Sequence, residues 1–99
     1  MSEIKKVRAI VSAASRPELP RHIKLRHDAA RDSWTILAPE RIFTPDAIAV
    51  AVLKRCDATR TVEDIAIELA RTYNAPQDRI LADITAMLQE LADKGVVKV

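Results

Sequence analysis

The chain has 99 residues, 48% of them hydrophobic and 30% charged, with a formal net charge of +2 at pH 7. That allows one small domain with an aliphatic core, because Trp34, Phe43 and Tyr73 are its only aromatic residues. No apolar run reaches the roughly 20 residues of a bilayer span, no signal-peptide block opens the chain, and the single Cys56 excludes an internal disulfide; a soluble cytoplasmic protein is expected.

Basic residues crowd the first third. Residues 1–31 hold eight Lys/Arg against three Asp/Glu, and residues 32–99 hold eight against eleven. Residues 1–19 show no clean period and end in the turn-rich Ser15 to Pro20, so they read as a flexible tail or linker before a domain over 20–99. Ile4, Val7, Ile10 and Val11 fall at helical spacing, which leaves a short helix formed on a partner as the other reading. From His22 to Asp28 the pattern alternates, with Ile23 and Leu25 on one face. The loop Asp28 to Ser33 lacks glycine and must be longer than a tight primed turn. Trp34 to Ala38 is the second strand. Pro39 interrupts it, since proline has no N–H to donate, and Glu40 to Thr44 is the third.

Helices follow. Thr44 suits an N-cap, with Pro45 at the first helical position. The first helix then runs from about Pro45 to Cys56, with Ile48, Val52 and Cys56 on one stripe. Thr61 and Asp64 fit a weak capping box for the second helix, whose Ile65, Ala66 and Leu69 should bury. Asn74 can end that helix in a left-handed conformation. Pro76 opens the third helix, where Ile80, Ile84, Met87, Leu88 and Leu91 keep helical spacing. Gly95, the only glycine, stops it, and Val96 to Val99 can add a closing strand. The expected fold is α+β and winged-helix-like: a three-stranded antiparallel sheet followed by a three-helix bundle.

Chemistry is sparse. His22 and His27 lie five apart on a strand and point to opposite faces, so they cannot share a metal ion. One glycine cannot build a phosphate loop. Cys56, with Val52 and Leu53 as helical neighbours, reads as a buried small hydrophobe rather than a nucleophile. Glu63, Asp64 and Glu68 read as a solvated helix face. No catalytic constellation, metal site or cofactor site emerges. A winged-helix nucleic-acid-binding protein is the alternative reading. Against it, residues 76–94 hold four acidic and two basic side chains, a surface that a phosphate lattice repels. What remains is an edge strand, short and beside a proline, next to a helix with a wide apolar arc. Such an edge can dock an extended peptide.

Arg16-Pro17, Leu37-Ala38-Pro39-Glu40-Arg41, Leu53-Lys54-Arg55-Cys56-Asp57, Thr61-Val62, Leu88-Gln89-Glu90-Leu91 and Gly95, in that order, resemble the PqqD family, the peptide chaperones of pyrroloquinoline quinone (PQQ) biosynthesis. The resemblance covers about residues 16–99 and departs from the family pattern at Ala58, where glycine is expected. It implies a non-catalytic recognition element with a winged-helix-like fold. Such a protein binds the ribosomal precursor peptide and delivers it to a radical SAM enzyme, which joins a Glu and a Tyr of that peptide. By analogy, the peptide adds as a strand along Arg41, Ile42, Phe43 and Thr44. Ile80, Ile84, Met87 and Leu88 then line the groove, and Arg41 faces an acidic group of the peptide.

Overall fold

The computed structural model describes residues 9–99. Strands β1 (Lys24–Asp28), β2 (Ser33–Ala38) and β3 (Arg41–Phe43) pair antiparallel in the order β1-β2-β3. Helices α1 (Ala47–Leu53), α2 (Val62–Tyr73) and α3 (Gln77–Asp93) follow, so the α+β order expected from the sequence is the one found. Leu25, Ile36 and Phe43 are register partners across the three strands and put an apolar row over the helices.

Local chemistry accounts for the turns. Asp28 opens the β1–β2 loop as a side-chain turn, its Oδ1 accepting from the Ala30 amide at 3.0 Å, and Asp32 closes the loop at φ 49°. Between β2 and β3 the chain reverses over two residues, Pro39 and Glu40, with Glu40 at φ 63°. Glu40 is therefore a corner rather than the first residue of the third strand. Proline first and a positive φ second is the pattern of a type II turn.

The start of α1 differs from expectation. Asp46 is the N-cap, its Oδ1 accepting from the Ala49 amide at 2.8 Å, while Thr44 and Pro45 stay outside the helix. Proline disfavours helical backbone at the residue before it, which works against a helix start at Thr44, and aspartate is the better cap. The helix ends at Leu53, so Cys56 is buried from the following turn. Ile48, placed on the buried stripe by spacing, is 41% exposed.

In α2 the local signals hold. Thr61 and Asp64 form a complete capping box, and Asn74 ends the helix at φ 50°. Val62, Ile65, Ala66 and Leu69 make its buried stripe. Pro76 is the N-cap of α3 rather than its first residue, and Gly95 follows that helix at φ 79°. Ile84 and Leu88 are the residues of α3 that bury fully, packed with Ile36, Val52, Leu53, Ile65 and Leu69.

Residues 11–18 depart furthest from the tail expected over 1–19. Val11 is buried, and Gln89 of α3 bonds the chain on both sides of Ile10: Oε1 accepts from the Val11 amide, and Nε2 donates to the Ala9 carbonyl, each at 2.9 Å. The Ser15 and Ala13 carbonyls accept from the Val62 and Glu63 amides. These are donors that no turn of α2 can satisfy, so the segment completes the cap. Glu18 exchanges two backbone bonds with Lys98 at 2.8 Å each, an isolated bridge where a closing strand was expected. Of the helical-spacing residues, Ile4 and Val7 lie outside the described residues.

The same segment meets the turn after α1. Pro17 is buried and its carbonyl accepts from the Ala58 amide at 3.0 Å, while the Arg16 guanidinium donates to the Thr59 carbonyl. Asp57 Oδ1 accepts from both the Thr59 hydroxyl and amide, which, with Arg60 beside it, hold its carboxyl down at about 2. Arg55 and Arg60 grip the two oxygens of Glu68 at 2.9 and 3.0 Å and tie this turn to α2.

Within that turn Ala58 sits at φ 69°, a left-handed conformation that a Cβ disfavours. Replacing it with glycine removes about 1–2 kcal/mol of strain and costs about 0.5–1 kcal/mol of chain entropy. Ala58→Gly is therefore expected to stabilise the fold by about 0.5–1 kcal/mol, a rise of a few degrees in Tm. Thermal unfolding of the two proteins measures it.

Candidate functional site

Among the described residues strand β3 is the end of the sheet and pairs only with β2. Its outer edge therefore presents unpaired backbone donors and acceptors. Beside it α3 passes, and between the two lies a cleft of about 390 Å³. Ile42, Phe43 and Thr44 form one wall; Met87, Leu91 and Lys94 form the other. Ile42 is 70% exposed, the most open large apolar side chain described.

Charge gathers at one end of this cleft. Lys94 Nζ stands 5.9 Å from the Phe43 ring centroid and pairs with Glu90 at 3.2 Å. The Arg41 guanidinium, two residues before Phe43 on the strand, lies 6.0 Å from the same centroid. Arg41 also borders a shallow depression with Leu37, Ala38, Glu40 and Ile42, at the outer lip of the β2–β3 turn. Its guanidinium has no carboxylate partner among the described residues, so it is free to take one.

A second hollow, of about 210 Å³, opens where α1, α2 and α3 converge. Ile80, Ile84 and Met87 line it together with Ile48 and Tyr73. The groove expected from the sequence is thus divided. Ile42, Phe43, Thr44 and Met87 meet in the β3–α3 cleft, whereas Ile80 and Ile84 belong to the second hollow, with Met87 shared. Leu88 belongs to neither. It has no accessible surface and is core, because its place on α3 points straight at α2 and the sheet.

Sequence spacing overlooked Ile48, Tyr73 and Lys94. Spacing puts Ile48 on the core stripe, and nothing local marks Tyr73 at the end of α2 as facing α3. Lys94, in the last turn beside Gly95, was readable only as a charge near a helix end.

The groups tested for chemistry take ordinary structural parts. Burial, with Asp57 adding to it, pushes the Cys56 thiol up to about 12, and its Sγ donates to the Val52 carbonyl at 3.3 Å. A thiol held protonated is a poor nucleophile. His27 packs on Trp34, with ring centroids 4.9 Å apart, and meets Asp32 at 3.2 Å. Among the described residues no cluster of His, Cys, Asp or Glu is placed to hold a metal ion, and no helix is long and apolar enough to cross a membrane.

A family model described as coenzyme PQQ synthesis protein D (PqqD) matches residues 33–97. A PqqA binding protein from Bradyrhizobium diazoefficiens is 58% identical over 85 residues, covering 86% of this chain and 82% of its own length. Another, from Xanthomonas euvesicatoria, is 39% identical over 88 residues, covering 89% and 96%. The fold is similar to the solution NMR structure of the PqqD truncation of Methylobacterium extorquens PqqCD, described as a functional, stand-alone recognition element for ribosomally synthesised and post-translationally modified peptides. That pair has a TM-score of 0.79 at 46% identity, over 90% of this chain and 95% of that one. Crystalline PqqD from Xanthomonas campestris gives 0.58 at 36% identity, over 90% and 99%.

The neighbours Met87 and Leu88 separate wall from core. Leu88→Ala is expected to cost about 2–5 kcal/mol of stability. Met87→Ala should cost about 1 kcal/mol, since a half-buried side chain loses less apolar burial. Urea unfolding of both variants checks the difference.

Proposed function

The chain belongs to the PqqD family, and from that premise we propose that it is a non-catalytic peptide chaperone of PQQ biosynthesis. Its ligand is the ribosomal precursor peptide, which adds as a strand to the free edge of β3. The complex is presented, in the cytoplasm, to a radical SAM enzyme that cross-links a Glu and a Tyr of the peptide.

The observation that carries this reading is an unpaired strand edge directly beside an apolar cleft. Strand addition matches backbone groups irrespective of sequence, and the cleft supplies selection among side chains. Magnitudes assign the two parts. Three residues of β3 offer only a few hydrogen bonds, each worth about 1 kcal/mol net. Micromolar affinity needs about 8 kcal/mol. Burial of apolar peptide side chains against Phe43, Met87 and Leu91 must contribute the larger share. Arg41 at the lip pairs with a peptide carboxylate, an exposed contact worth about 0–1 kcal/mol that favours one register over another.

Nucleic-acid binding fits the surface poorly. On α3 and its flanks Asp78, Asp83, Glu90 and Asp93 are exposed beside only Arg79 and Lys94, and a groove reader needs the opposite balance.

Calorimetric titration with the synthetic precursor peptide tests the proposal. Binding is expected to be saturable and to change little between about 50 and 200 mM salt, where phosphate binding falls by orders of magnitude. Met87→Asp should weaken it at least about tenfold, roughly 1.4 kcal/mol, while circular dichroism reports an intact fold. A folded Met87→Asp that binds as tightly as the parent would remove the cleft from the account.

A further inference from the structure

The two hollows on α3 are one surface read twice. The second hollow takes Ile80, Asp83, Ile84 and Met87 from the helix; the β3 cleft takes Met87, Glu90, Leu91 and Lys94. Each member of the second set lies seven residues after its counterpart in the first. Seven residues are close to two helical turns, so both sets occupy the same face, displaced by about 10 Å along the axis. Met87 is the common wall.

We propose that the hollow between α1, α2 and α3 is a socket for one apolar side chain of the bound peptide, about three residues away from the segment paired with β3. The proposal rests on the peptide-binding reading above and adds a second point of selection to it. The spacing follows from length: an extended chain advances about 3.3 Å per residue, so three residues cover the 10 Å between the two hollows. The size of the hollow suits one leucine-, isoleucine- or phenylalanine-sized side chain. Ile48 and Tyr73, 41% and 44% exposed, stand at its mouth as apolar surface that the fold leaves open.

Charge narrows the occupant further. Among the described residues Asp83 is the single charged one lining the hollow. A carboxylate beside the seated side chain is repelled there, and a neutral or cationic neighbour is accepted. The selected feature is therefore a large apolar residue whose neighbours are not acidic, set three residues from the strand-paired segment.

The test uses the full chain with isoleucine δ1 methyls labelled and the synthetic precursor peptide as probe. Peptide addition is expected to shift Ile48 and Ile80 and to give nuclear Overhauser contacts from both to one peptide side chain. Ile48→Asp should weaken binding about tenfold and leave the shifts of the β3 amides in place. This variant keeps the fold, because aspartate in the first turn of a helix favours its dipole. Changing the seated peptide residue to aspartate should weaken binding at least as much. Normal β3 shifts with silent Ile48 and Ile80 methyls, and an Ile48→Asp variant that binds like the parent, would overturn the socket and leave strand addition standing. Absence of β3 shifts would overturn both. Methyl shifts that arise on concentrating the free protein would assign the hollow to a second copy instead and overturn the socket.

Discussion

Helix α3 has to serve two neighbours with one set of apolar residues, and the rest of the molecule follows from that constraint. Ile84 and Leu88 turn towards α2 and the sheet and hold the core. Ile80, Met87 and Leu91, one step around the helix, are only half covered. Covering them completely would need a longer α1 or a fourth strand, and the described residues supply neither. The seven residues of α1 leave a gap at its start beside Ile48, and the three residues of β3 leave a gap at the edge of the sheet. In the proposed account the missing strand is the peptide.

Rigidity around that gap comes from the opposite side of the fold. Residues 11–18 complete the cap of α2, pair with Lys98 and hold the back of α3 through Gln89. The turn after α1 is fixed to them through Ala58 and Arg16, and to α2 through Glu68. Several residues that carry the family likeness, Arg16, Pro17, Cys56 and Asp57, are gathered here rather than in the cleft. They are scaffold. A groove held by fixed elements loses less conformational freedom when it binds, and this lowers the cost of capturing a flexible peptide.

How much could be read from the sequence depended on the range of the signal. The Thr61–Asp64 box, Asn74, Gly95 and the Ile65–Leu69 stripe were legible because each is decided within a few residues of chain. Thr44 and Pro45 were misassigned because two caps compete within three residues, and the better acceptor, Asp46, prevails. The packing of residues 11–18 was illegible: its partners, Val62, Gln89 and Lys98, lie some fifty to eighty residues away. The candidate site was half legible. Periodicity found the apolar arc of α3, but it could not separate Leu88 in the core from Met87 on the wall, since adjacent residues on one arc differ only in what packs over them.

Strand addition is the central claim, and cross-strand contacts measure it most directly. In isotope-filtered NMR spectra of the chain with the synthetic precursor peptide, the account predicts nuclear Overhauser contacts between backbone protons of one peptide segment and those of Arg41, Ile42 and Phe43. The same β3 amides should become slow to exchange with solvent. A bound peptide that contacts the helices while those amides still exchange as in the free protein would contradict it.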